Sequence, residues 1–170
     1  IVVMIFIFVF WIDVNFHRTT KNKHLIVIDP GHGGKDPGAM RGSVVEKKIV
    51  LSVGTFLKEE LSKDFNVVMT RDSDVFVVLS QRPKMANKSN AKLFVSIHAN
   101  ASESKNANGV EVFYFSKKSS PYAERIANFE NTIGEQYGDS SDEIIQISGE
   151  LAYKKNQENS IRLARKIAEN

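Results

Sequence analysis

HLIVID at 24–29 is an apolar run with no period-2 alternation, and KLFVSIHAN at 92–100 reads as another buried strand. A strand wetted on one face alternates apolar and polar residues, whereas a strand covered on both faces does not. Helical periodicity lies between the two runs. From Glu46 to Leu61 the residues Ile49, Val50, Val53, Phe56, Leu57 and Leu61 recur at the spacing of one helix face. FNVVMT (65–70) reads as a second strand, LSQRPKMANKSN (79–90) as a short helix or turn, and GVEVFYF (109–115) as another strand. Two helices are expected after it, in SPYAERIANFENTIGEQYG and SDEIIQISGELAYKKNQENSIRLARKIAEN. Such alternation predicts an α/β fold: one domain with a twisted, mostly parallel sheet flanked by helices.

A length of 170 residues is enough for one domain with a real core. Net charge is +3, from 23 basic and 20 acidic residues, and no basic stripe is interleaved with aromatics. No nucleic-acid partner is expected on that balance. Cysteine is absent, which excludes disulfides and thiolate metal sites, so any metal must be held by histidine and carboxylate.

The first residue is Ile, and IVVMIFIFVFWI is an apolar run of 12. That is the length of a signal-peptide core and short of the roughly 20 residues of a membrane span. Residues 1–20 are therefore read as a partial export signal or membrane anchor lying outside the fold, with 21–170 as the domain. A hydrophobic first strand is the alternative.

The first buried run breaks into a turn, IVIDPGHGGKDPG at 26–38. His32 falls just past the carboxyl end of one buried strand, and His98 falls at the end of another. In open α/β sheets, ligands bind in the crevice outside the carboxyl ends of the strands, so the two imidazoles can converge there. Gly31, Gly33 and Gly34 allow a sharp turn and leave room for a large partner beside the ring. Glu46, opening the first helix, is the candidate third ligand. On local grounds Ser43-Val-Val-Glu46 is as well a capping box, which would turn the carboxylate back to the Ser43 amide. Asp29 is expected to support the turn or to orient His32, and Asn100 is placed similarly after His98. Arg71, Arg82 and Asn87 are expected to fix the connection between strands, and Lys35 and Asp36 to sit in a solvated turn.

Taken in order, IVIDPGHGGKDPGA, EKKIVLSVGTFLKEEL, VVMTRDSDVFVVLSQRPKMAN, LFVSIHANAS and GVEVFYF resemble the zinc-dependent N-acetylmuramoyl-L-alanine amidases of the type 3 family. The resemblance runs from about His24 to Phe115. It implies a zinc ion bound by His32, Glu46 and His98. It also implies a hydrolase that cleaves the amide between muramic acid and the L-alanine of peptidoglycan stem peptides, exported to the periplasm or cell envelope. The family's proton-shuttling Glu lies on a late strand. It is expected beyond residue 170, so the chain as it stands is expected to bind zinc without turnover.

Family members that act in daughter-cell separation carry an inserted helical segment, which the resemblance places at 116–158. ERIANFENTIGE resembles the helix that covers the zinc in those proteins. By that likeness Glu130 is an inhibitory fourth ligand, released by a LytM-type activator protein. Two other readings stay open: a peptidoglycan-binding or regulatory homologue without activity, and a zinc peptidase acting within the stem peptide.

Overall fold

The structure is a computed structural model and describes residues 2–8, 23–100, 106, 108–114, 120–122, 124, 125, 128 and 150–169. Its strands are β1 (Val2–Phe8), β2 (Leu25–Pro30), β3 (Met40–Arg41), β4 (Val44–Val45), β5 (Asn66–Met69), β6 (Leu93–Asn100) and β7 (Gly109–Tyr114). Its helices are α1 (Glu46–Leu61), α2 (Gln81–Lys88) and α3 (Glu150–Ala168). Five strands form one sheet in the order β5-β2-β6-β1-β7, and β3 and β4 form a separate small hairpin. The pairings β5–β2, β2–β6 and β1–β7 are parallel, and β6–β1 is antiparallel. The sheet is thus mostly parallel, as expected.

Strand β2 shows why those runs lack alternation. Ile26 and Ile28 pack with Val95, Ile97, Ala99, Met69 and Val50 in one core, on the side of α1. Val27, between them, points the other way and packs with Phe94, Ala86 and Ala91 in a second core. Both faces of the strand are dry, so neither can carry a polar residue without loss. Ile28 is fully buried, and its truncation to Ala is expected to cost about 2–5 kcal/mol.

Helix α1 lies close on the sheet, and a glycine makes that possible. A Cβ on Gly54 would stand 2.9 Å from Pro30 Cγ and 3.2 Å from Met69 Cε. Gly inside a helix costs about 1 kcal/mol against Ala in propensity, and here it lets the helix rest on the strand end that leads to the turn. Helix α2 begins Gln81-Arg82-Pro83. A proline in the first turn removes an N–H that has no intrahelical partner in any case. The same helix buries Arg82 and Ala86, four residues apart and so on one face.

Residues 1–20 are not wholly outside the fold, contrary to expectation. Val2–Phe8 is the strand between β6 and β7, with Val2 opposite Asn100 and Phe8 opposite Phe94. A short apolar run satisfies a strand as well as a signal core, and only pairing decides between them. Here β6 and β7 each offer β1 an edge, so its backbone groups are bonded on both sides. Helix α3 packs chiefly against β7. Most of the expected inserted segment, Glu130 included, lies outside the described residues. No helix among the described residues is long and apolar enough to cross a membrane.

Candidate metal centre

The turn after β2 is held from three directions. Asp29, at the strand's end, is buried and accepts from Thr70 Oγ1 at 2.6 Å, Arg82 Nη1 at 2.8 Å and Ser96 Oγ at 2.8 Å. Burial raises the pKa of this carboxyl, but Arg82 and the hydroxyl donors outweigh it and hold the group below its ordinary value. Beyond Asp29, three successive carbonyls accept from arginine. Pro30 O takes Arg71 Nε and Arg82 Nη1, Gly31 O takes Arg71 Nη2 at 2.6 Å, and His32 O takes Arg82 Nη2 at 2.9 Å. Arg71 Nη2 also reaches Lys47 O, which ties the turn to the start of α1. The two arginines therefore fix the connection, as expected, whereas Asn87 lies exposed on α2.

That clamp holds a strained residue. His32 has φ of 58°, a left-handed conformation that costs a non-glycine residue roughly 1–2 kcal/mol. The distortion turns the ring inward: His32 is buried, with Nε2 3.1 Å from His98 Nδ1 and 3.1 Å from Glu46 Oε1. His98 Nδ1 lies 3.2 Å from Glu46 Oε1. The room the glycines leave is taken by the second ring. A Cβ on Gly31 would fall 2.4 Å from His98 Cε1, and one on Gly38 would fall 2.6 Å from both His32 Cδ2 and Glu46 Oε2.

Glu46 does not serve as a cap. The N-cap residue is Val45, in extended geometry and without a side-chain cap bond. Glu46 is therefore the first helical residue, two places earlier than a capping box needs. The helix's first amides are satisfied otherwise, Glu46 N by Ala39 O at 2.9 Å and Lys47 N by Pro37 O at 3.1 Å. The carboxylate is free to face the crevice, where Oε1 accepts from Ala99 N and Oε2 from Ala39 N, each at 2.7 Å. Burial pushes the Glu46 carboxyl up, but the bonds and charges of His32 and His98 outweigh burial and hold it well below the usual carboxylate range.

Three donor atoms of two imidazoles and one carboxylate thus form a nearly equilateral triangle. A tetrahedral ion with bonds of about 2.0–2.1 Å has an edge of roughly 3.3 Å between ligands, close to these separations. Among the described residues this is the one group of His, Cys, Asp or Glu side chains able to hold a metal ion. Asp29 takes the first of its two expected roles, supporting the turn through Arg82. The expectation for Asp36 needs correction: it is the ring's carboxylate partner, with His32 Nδ1 2.9 Å from Asp36 Oδ2. Asp36 is accordingly buried, and only Lys35 of that pair is exposed, its Nζ 4.6 Å from the Phe76 ring centroid. The sequence carried no local sign of this, since Lys-Asp-Pro-Gly reads as a solvated turn until the histidine four residues back folds onto it. Asn100 closes β6, half-buried and opposite Val2.

The family model described as N-acetylmuramoyl-L-alanine amidase matches residues 26–170. The amidase AmiC of Neisseria meningitidis serogroup B is 44% identical over 96 residues, 55% of this chain and 23% of the relative. AmiC of Escherichia coli O6:H1 is 41% identical over 112 residues, 63% of this chain and 27% of the relative. Among solved structures, amidase AmiC2 of Nostoc punctiforme shows 45% identity over 49% of this chain and 48% of its own, with a TM-score of 0.47. The chain spans about a quarter of the length of those two curated relatives. The matched segment begins at Ile26 and contains the turn, α1 and the end of β6, which is every element of the triangle, and the chain belongs to the N-acetylmuramoyl-L-alanine amidase family.

Proposed function

We propose that this chain is the metal-binding part of a zinc-dependent amidase of the cell envelope. Its bond would be the amide between N-acetylmuramic acid and L-alanine in peptidoglycan. One observation carries the reading: His32 Nε2, His98 Nδ1 and Glu46 Oε1 stand within 3.2 Å of one another, in a chain of the amidase family. Nitrogen donors with one carboxylate suit zinc, and three protein ligands leave a position for chemistry. Zinc, when bound, supplies Lewis acidity that polarises an amide carbonyl and acidifies water.

The protein's own residues do the remaining work. His32 and His98 hold the site from the turn after β2 and from β6, and Glu46 adds the charge that binds a cation in a buried place. The Ala39 and Ala99 amides fix the rotamer of Glu46. The proton for the leaving amine is assigned to a glutamate beyond residue 170. Glu130, within the segment 116–158, is the proposed inhibitory ligand, relieved by a LytM-type activator. Its helix would shut the site until cell separation requires it. The apolar run at the N-terminus is proposed to act as an export or anchoring signal on the nascent chain, before Val2–Phe8 joins the sheet.

Mass analysis of muropeptides from sacculi digested by the full-length, zinc-loaded protein tests the reading. Release of the whole stem peptide from the sugar is the expected product. Cuts inside the stem would indicate a peptidase, and sacculi bound but left intact would indicate a binding or regulatory homologue.

A further inference from the structure

Asp36 touches the triangle on the side the proposed function does not use. We infer that Asp36 is a positioning residue that sets the tautomer of His32 and so presents its Nε2 as a metal donor, an inference that rests on the metal-site reading above. A carboxylate only accepts. With Oδ2 2.9 Å from His32 Nδ1, Asp36 holds a proton on Nδ1, and Nε2, which faces the Glu46 carboxylate at 3.1 Å and His98, is the nitrogen left for a cation.

The surrounding bonds hold Asp36 in that role. Its backbone N donates to Gly33 O at 3.1 Å, and its backbone O accepts from Gly33 N at 2.9 Å, closing a small loop directly after the histidine. Its second carboxylate oxygen, Oδ1, accepts from Gly38 N at 3.0 Å, which leaves Oδ2 directed at the ring. The whole group is buried, so water does not compete for Nδ1. The loop runs on through Pro37 and Ala39, whose carbonyls take the first amides of α1. One short segment therefore orients two of the three donors: His32 through the carboxylate, and Glu46 through the helix start. Outer partners of this kind typically change metal affinity by about 10–100-fold.

The test has two arms. In the metal-free, 15N-histidine-labelled full chain, the nitrogen shifts of His32 should report a protonated, hydrogen-bonded Nδ1. An unprotonated Nδ1 overturns the inference, and this arm needs no variant to fold. In the second arm, zinc is titrated against a chromophoric chelator. D36A should bind about 10–100-fold more weakly than the parent while keeping its far-ultraviolet circular dichroism, with the His32 tautomers mixed. D36N should fall between, because its one oxygen serves either the ring or the Gly38 amide but not both. If the parent binds zinc and D36A binds it equally, with the tautomer unchanged, Asp36 has no such role and the metal site stands. If the parent itself fails to bind zinc, the metal reading fails, while the tautomer measurement still judges Asp36.

Discussion

The two histidines reach one point by different means. His98 sits in register within β6, flanked by Ile97 and Ala99 of the core, so the same burial that forms the strand places it. His32 sits in a left-handed turn that is strained on its own and persists through Arg71, Arg82 and Asp36. One ligand is positioned by packing, which is dispersed over many contacts. The other is positioned by a few charge-assisted hydrogen bonds, each of which matters singly. The half of the site built on the turn should therefore be the half that single substitutions break.

The largest effect is expected at Arg82. Its removal leaves Asp29 buried without its cation and takes a donor from the carbonyls of Pro30 and His32, of which Pro30 O keeps Arg71 Nε. Arg82→Ala should lower unfolding free energy by about 3–5 kcal/mol in urea titration, and weaken zinc binding as well. A loss below 1 kcal/mol would mean that the turn is not held by the clamp.

Gly31→Ala comes next and asks whether the two halves are independent. The new Cβ would overlap the His98 ring, whose Cε1, Nε2 and Nδ1 are its nearest atoms. Overpacking of this kind costs about 1–3 kcal/mol, read by thermal or urea melting. A falling zinc affinity would show that strand register sets the position of His98 while the turn sets the space for its ring.

Acid should separate the halves further, with a smaller effect. Burial raises the Asp29 pKa but Arg82, Thr70 and Ser96 outweigh it, so the folded value lies below the unfolded one of about 3.9. A depressed carboxyl contributes stability in full above the unfolded value and loses it as pH falls through the folded value. Below about pH 4, amide hydrogen exchange at residues 30–36 should rise before exchange at 94–98 does. Simultaneous loss of protection would place the acid-sensitive group elsewhere. Phe56 supplies the baseline. It is 71% exposed on α1, and Phe56→Ala should change stability by no more than about 0.5 kcal/mol by the same melts.

Much of the architecture is legible along the chain because burial on both faces leaves a direct mark. LIVID and LFVSI show no alternation, and the helical spacing from Glu46 to Leu61 gives the bounds of α1 as they stand. The strand-end positions of His32 and His98 follow from the same pattern. Three things were settled by tertiary structure alone. Whether Val2–Phe8 is a strand depends on neighbouring edges that no local periodicity records. Whether Glu46 caps its helix or faces the crevice depends on carbonyls of Pro37 and Ala39, which satisfy the amides a cap would have served. Whether Asp36 is solvated depends on a ring four residues away whose backbone has turned left-handed under two arginines from distant elements. Patterning reports which residues leave water, because that preference belongs to each side chain. Hydrogen-bond pairing in a buried turn belongs to the partners, and those meet only when the chain has closed.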